Sequence, residues 1–165
     1  MKRIAKFEKV SLAQFEKDWD ISTDAASVYD EIKLPQRATS GSAGYDFYAT
    51  CDICLAPGES IKVPTGVRVR IDEGWVLKIY PRSGLGFKYR LQLNNTVGII
   101  DSDYYYSDNE GHMFIKVTND SKEGKTVSIK KGEGFAQGIF VEYGITEDDD
   151  AQGVRNGGFG STTKK

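Results

Sequence analysis

The sequence predicts an all-β domain: a sandwich, jelly roll or barrel. From residue 35 onward, short runs of β-branched and aromatic residues recur at near-even spacing. Gly or Pro separates them, and no helical periodicity intervenes. The composition agrees, since 18 Gly against 4 Pro, beside 9 Tyr and 8 Phe, suits tight turns between half-buried strands. A chain of 165 residues is also long enough for one domain with a real core, so a single domain over 1–165 is expected.

Residues 3–9 alternate moderately and read as a first strand. Ser11-Leu-Ala-Gln14 is a capping-box pattern, and Phe15 and Trp19 fall at i, i+4, which predicts a short helix over 11–19. A second helical piece is expected over 24–31, with Ile32, Lys33 and Leu34 returning to extended chain before Pro35. This helical insert near the N-terminus, 11–31, is expected to decorate the packing and cover an edge. Strands follow over 45–49, 60–63, 66–71, 75–80, 91–93, 97–100, 114–117, 126–129 and 135–141. The tail from Glu147 is acidic, then Gly-rich, then basic, and 153–165 are expected to form a mobile C-terminal arm in the absence of a ligand.

Charge narrows the function classes. A net charge of −2 gives no general attraction for nucleic acid or for an anionic membrane. No run of about 18 apolar residues occurs, and no charged-then-apolar signal opens the chain, so a soluble, cytoplasmic protein is expected. Cys51 and Cys54 form a lone C-x-x-C, far in sequence from the only histidine, His112, and without a helix signal. Two thiols in a strand or at its edge fit that context better than zinc or redox chemistry. Gly124-Lys125-Thr126 ends like a P-loop, but Asn119 stands where the first glycine belongs, and a β-turn is expected instead.

The stretch from Asn94 to Tyr104 concentrates the candidate chemistry. Asn94-Asn95-Thr96 forms turns readily, and Val97, Ile99 and Ile100 favour a strand, so a hairpin is predicted that runs into Asp101, Asp103 and Tyr104. Apolar flanks could desolvate Asp101 into a useful base, and Gly98 would let a ligand approach the backbone. Four further segments keep it company: Ser42-Ala-Gly-Tyr-Asp46, Pro81-Arg-Ser-Gly-Leu-Gly86, Gly132-Glu-Gly-Phe-Ala-Gln137 and Arg155-Asn-Gly-Gly-Phe-Gly-Ser-Thr162. They hold what a triphosphate site needs. Arg82 and Arg155 are cations, and Ser83, Ser161 and Thr162 carry hydroxyl donors. Glycines expose backbone N–H groups, and carboxylates can serve a metal or act as a base. Phe159, set between glycines, suits stacking on a flat ring.

Together, in this order, the five segments closely resemble the five motifs of the trimeric dUTPases (deoxyuridine triphosphate nucleotidohydrolases), over about residues 32–162. P-R-S-G-L-G, G-I-I-D-S-D-Y and G-G-F-G-S-T are near-literal matches. The resemblance implies a jelly-roll homotrimer with active sites shared between subunits. It further implies cleavage of dUTP between the α- and β-phosphates to dUMP and pyrophosphate with Mg²⁺, which keeps uracil out of DNA. By match, Asp101 would be the base that activates water, and Arg82, Ser83, Gly84 and Gln137 would hold phosphate oxygens. Asp46 would reach Mg²⁺ through water, and Tyr104 would lie under the deoxyribose. Asn95 and the backbone at Gly98 would read the uracil edge, while Arg155, Phe159, Ser161 and Thr162 would close over the nucleotide.

The chain departs from the family pattern at four places. Gly134 stands where an Arg is usual, and Thr163 replaces a usual glycine. The spacing from Arg155 to Gly157 is one residue short, and the loop 105–111 is long. Two other functions share parts of this pattern. A dCTP deaminase-like enzyme of the same fold would need a glutamate that Phe114-Ile-Lys-Val117 does not offer. A nucleotide-responsive regulatory protein would use 105–111 or 11–31 as its partner surface.

Overall fold

The computed structural model describes residues 1–157. The elements are β1 (Ala5–Lys9), α1 (Leu12–Asp18), α2 (Ala25–Glu31), β2 (Gln36–Arg37), β3 (Tyr45–Tyr48), β4 (Ile53–Leu55), β5 (Ser60–Pro64) and β6 (Val67–Ile71). They continue with β7 (Trp75–Pro81), α3 (Ser83–Tyr89), β8 (Leu91–Leu93), β9 (Gly98–Ile100), a 3₁₀ turn at Ser102–Tyr106, β10 (Phe114–Asn119), β11 (Val127–Ile129) and β12 (Gly134–Glu142). Among the described residues the strands form a five-stranded sheet β2-β3-β12-β7-β9, a three-stranded sheet β5-β10-β8, and the pairs β1-β6 and β11-β4. The fold is mostly β with a few helices. No helix of the described residues is long and apolar enough to cross a membrane.

Alternation along the strands builds the main core. Val67, Val69 and Ile71 of β6 point inward while Arg68 and Arg70 point away, and Leu77 and Ile79 of β7 meet Phe47 and Phe135. A smaller cluster of Val10, Phe15 and Val28 sits beneath the two N-terminal helices, with Trp19, Tyr29 and Ile32 packed on it. Burying Phe15 completely contributes about 1.5–3 kcal/mol relative to leaving it exposed. The first helix starts on the Ser11 cap expected from sequence, which accepts from the Gln14 N–H, and the second starts on Asp24, which accepts from the Ser27 N–H. The insert packs on the start of β6. Gly66 has φ 69°, and a Cβ there would lie 2.2 Å from Ile32 Cδ1, so only glycine fits beneath the insert.

The fold departs from the sequence reading at three places. Ser83–Tyr89 is a helix, where no helical segment was expected beyond residue 35. Each glycine weakens a helix by about 1 kcal/mol, but Leu85 and Tyr89 pack against the main core and hold α3 in place. The hairpin of residues 91–100 is not a ladder. β8 pairs with β10 and β9 pairs with β7, so the Asn-Asn-Thr turn carries the chain from one sheet to another. Two short strands, β2 and β4, were not among the expected strand spans, though Cys54 lies in β4 and Cys51 just before it, as expected of thiols in a strand or at its edge. Cys51 is buried, Cys54 is exposed, and both are free. Burial pushes the Cys51 thiol up, which fits packing rather than redox chemistry.

His112 gives the fold an acid-sensitive point. Its ring is fully buried, with Asp18 on Nδ1 and the Gly66 N–H on Nε2, and Phe15 and Phe114 lie beside it. Burial lowers its pKa below 6.5. The facing carboxylates Asp18 and Glu110 oppose that shift, and Lys62 adds to it. A depressed histidine pKa means that the unfolded chain takes the proton first. The stabilisation is therefore complete above about pH 6.5 and is lost as pH falls below it. The paired carboxylates Glu8, Glu110, Asp52 and Asp120 also have lowered pKa values, so their losses come at more acidic pH. Unfolding temperatures measured between pH 7.5 and 5.5 should fall in wild type and stay flatter in His112→Gln. Parallel slopes would remove His112 as the cause.

Candidate active site

Five of the candidate residues converge on one cleft of about 690 Å³: Asp46, Arg82, Ser83, Gly84 and Gln137. Register explains the convergence. On β12, Gln137 lies opposite Asp46 of β3 on one side and Tyr80 of β7 on the other, and β7 delivers Arg82 just beyond Pro81. Arg82 is fixed by two contacts, Nε to Asp46 Oδ1 at 3.2 Å and Nη1 donating to the Gly134 carbonyl at 3.1 Å. Gln137 Nε2 donates to the Pro81 carbonyl at 3.1 Å. Two glycines make the room. A Cβ on Gly44 would come within 2.7 Å of Gln137 Oε1, and one on Gly134 within 2.7 Å of Arg82 Nη1. The guanidinium of Arg82 thus fills the space that a side chain at 134 would take. Nothing lies within 4 Å of a Cβ on Gly84, so its backbone is open to a ligand.

The remaining candidates gather elsewhere. Gly98 is buried in β9 opposite Ile79, and a Cβ on it would lie 3.0 Å from Ile79 Cβ. Close packing against β7 therefore accounts for this glycine. Asn95 is exposed in the turn, next to Thr96 at φ 67°, a left-handed conformation that a β-branched residue rarely adopts. Tyr104 is 8% exposed, and burial raises its pKa. Its hydroxyl donates to the His112 carbonyl at 2.6 Å and accepts from Asn109 Nδ2 at 2.9 Å.

Asp101 caps the 3₁₀ turn and is about half exposed, its side chain at 47%. Apolar flanks do not desolvate it, contrary to the expectation from sequence. Its neighbour is Arg155, whose Nη2 donates to Asp101 Oδ2 at 2.7 Å while Nε donates to Asp103 Oδ1 at 2.9 Å. Arg155 therefore sits on the carboxylates and not in the cleft with Arg82. That pairing, and the part played by Asp103, were missed because 54 residues separate Arg155 from Asp101 in sequence. Phe159, Ser161 and Thr162 lie outside the described residues.

The register between β7 and β9 also measures how far apart the two groups are. Ile100 pairs with Leu77, so Asp101 falls level with Val76. Six residues of strand then separate it from Arg82, about 20 Å at ~3.3 Å per residue.

The dUTPase family model matches residues 30–163. The chain belongs to the dUTPase family. Among curated dUTPases it is 45% identical over 134 residues to that of Lactococcus lactis subsp. lactis, covering 79% of this chain and 88% of the relative. To the dUTPase of Shigella sonnei it is 43% identical over 143 residues, covering 82% and 90%. The crystal structure of the Streptococcus mutans dUTPase superposes with a TM-score of 0.65 at 34% identity, covering 86% of this chain and 98% of that one. A dUTPase of phage phi11 of S. aureus, whose structure details the coordination of a structural Mg(II) ion, shares the fold at 21% identity with a TM-score of 0.65. The matched span 30–163 includes both the cleft lined by Arg82, Ser83, Gly84 and Gln137 and the β9 end with Asp101 and Tyr104.

If the Tyr104 ring limits the space at the sugar, shortening it should relax sugar choice. Tyr104→Leu keeps apolar volume in this part of the core. It should still raise the ratio of UTP to dUTP turnover, read as kcat/KM, several-fold. An unchanged ratio would move sugar selection to another residue.

Proposed function

We propose that this chain is a dUTP diphosphatase that hydrolyses dUTP to dUMP and pyrophosphate, working as a jelly-roll homotrimer with sites built between copies. The observation that carries this reading is the separation of the phosphate cleft from Asp101 within a chain assigned to the family. A general base must come within hydrogen-bond reach of the attacking water. About 20 Å of strand between Asp101 and Arg82 is far too long for one chain to hold both ends of the reacting triphosphate. A neighbouring copy that brings its own Asp101 to this cleft supplies the missing group.

Within such a site Arg82, Ser83, Gly84 and Gln137 hold phosphate oxygens, and the fixed guanidinium gives charge-assisted bonds. Asp101 accepts the proton of water as the oxygen attacks the α-phosphorus and the bond to the bridging oxygen breaks, releasing pyrophosphate. Asn95 and the β9 backbone read the uracil edge, and Tyr104 carries the sugar. Phe159, Ser161, Thr162 and Arg155 close over the nucleotide. For Arg155 to reach a phosphate it must first leave Asp101 and Asp103.

The donor set fits a Mg²⁺ that arrives on the triphosphate and keeps most of its waters. Asp46 is one carboxylate at the cleft, and among the described residues no cluster of three or more acidic, His or Cys side chains forms a protein cage. Such an ion would neutralise phosphate charge as the leaving group departs.

Pyrophosphate release from dUTP, with dCTP and UTP as controls, tests the activity, and ammonia release from dCTP would turn the reading to a deaminase. Subunit sharing is tested by mixing. Arg82→Ala and Asp101→Asn chains, each inactive alone, should regain turnover when refolded together. Mixed oligomers without recovery would place the whole site in one chain.

A further inference from the structure

The two segments that lie outside the usual family pattern, the helical insert and the long loop, are bonded to each other. At the start of α1, Glu110 accepts from the Ser11 N–H and from Ser11 Oγ, both at 2.7 Å. At its last residue, Asp18 Oδ2 accepts hydrogen bonds from His112 Nδ1 at 2.6 Å and from Gln14 Nε2 at 2.7 Å. The tautomer follows from the other ring nitrogen. His112 Nε2 accepts the Gly66 N–H at 2.9 Å, so Nδ1 carries the hydrogen. Both ends of the helix therefore hold residues 110–112, at the close of the loop.

The gripped segment ends on Tyr104. The carbonyl of His112 accepts the Tyr104 hydroxyl, and Asn109 donates to the same oxygen while its own Oδ1 accepts the Gly111 N–H. Gly111, at φ 72°, lies so close that a Cβ would be 2.8 Å from the Tyr104 carbonyl oxygen and from Tyr105 Cα. The ring is thus pinned at its tip by residues 109–112 and crowded along its backbone. Exclusion of a 2′-hydroxyl is steric, and a ring free to retreat by a few tenths of an ångström loses that discrimination.

We propose that α1 is a positioning element for sugar recognition: Asp18 and Glu110 fix the segment 109–112, which fixes Tyr104 against the 2′ carbon of the nucleotide. The proposal rests on the reading of Tyr104 as the residue beneath the deoxyribose.

The test compares Asp18→Ala/Glu110→Ala with wild type on dUTP and UTP, with unfolding temperatures recorded alongside. The UTP to dUTP ratio of kcat/KM should rise about fivefold, mostly through a lower KM for UTP, with kcat for dUTP changed by no more than about threefold. Asp18→Asn/Glu110→Gln, which keeps the acceptor oxygens, should return the ratio to within about twofold of wild type. If the double alanine variant does not fold, Glu110→Ala alone carries the same readout, because its contact lies at the partly exposed start of the helix. A purely structural role lowers turnover of both nucleotides equally. An unchanged ratio where Tyr104→Leu shifts it would overturn the positioning role alone. An unchanged ratio in Tyr104→Leu as well would overturn the sugar reading of Tyr104, and the proposal with it.

Discussion

Asp101→Asn should abolish most turnover while leaving the fold intact, with kcat lower by about 10²-fold or more. The amide is nearly isosteric, and the side chain is about half exposed at the cap of a 3₁₀ turn to which it gives no side-chain hydrogen bond. Little packing is disturbed. What disappears is the carboxylate that can take a proton from water. The variant also gives Arg155 an amide oxygen where it had a charged partner at 2.7 Å. Nucleotide affinity, measured by calorimetry with a non-hydrolysable analogue, should stay close to wild type. Hydrolysis of dUTP within a few-fold of wild type would remove Asp101 from the role of base.

Deleting residues 153–165 should cost turnover about as heavily, yet barely change thermal stability. The deletion removes Arg155, Phe159, Ser161 and Thr162 together, the groups assigned to closing over the nucleotide. Aligning a bound triphosphate for in-line attack accounts for a large part of such a barrier, so a fall of about 10²-fold or more is expected. Stability should hold because Ala151 to Val154 are exposed and the Arg155 pair involves half-exposed carboxylates, which contribute little. Dichroism melts and steady-state assays on the truncated chain separate the two effects. Near-wild-type turnover would eliminate the arm from the mechanism, whatever the oligomeric state.

Much of the architecture could be read before any coordinates. The Ser11 cap, the Phe15 and Trp19 spacing, and the β-branched run in Val67–Ile71 are local signals, and the helix and strand formed where they placed them. At the P-loop look-alike the chain bends at Lys122 and Glu123 and runs into a strand at Val127, with φ 69° at Gly124. The misread elements share one cause. α3 contains two glycines and is held by contacts of Leu85 and Tyr89 with the core, a long-range term that no local propensity contains. The apparent hairpin of β8 and β9 has the right turn residues, but each strand gains more by joining a different sheet.

The site divides in the same way. Residue types carry the proposed chemistry: guanidinium and hydroxyl donors for phosphate, a carboxylate for water, and glycines where backbone must be open. Those identities lie in short contiguous motifs, so the sequence alone determined the family and the candidate residues. Partnership was decided only by the tertiary structure. Arg82 rests on Asp46 and the Gly134 carbonyl, Arg155 bridges Asp101 and Asp103, and Asp18 holds His112 across 94 residues of chain. Each is a contact between segments whose separation in sequence carries no distance information. Sheet register and helix packing set that distance, and both are properties of the folded chain as a whole.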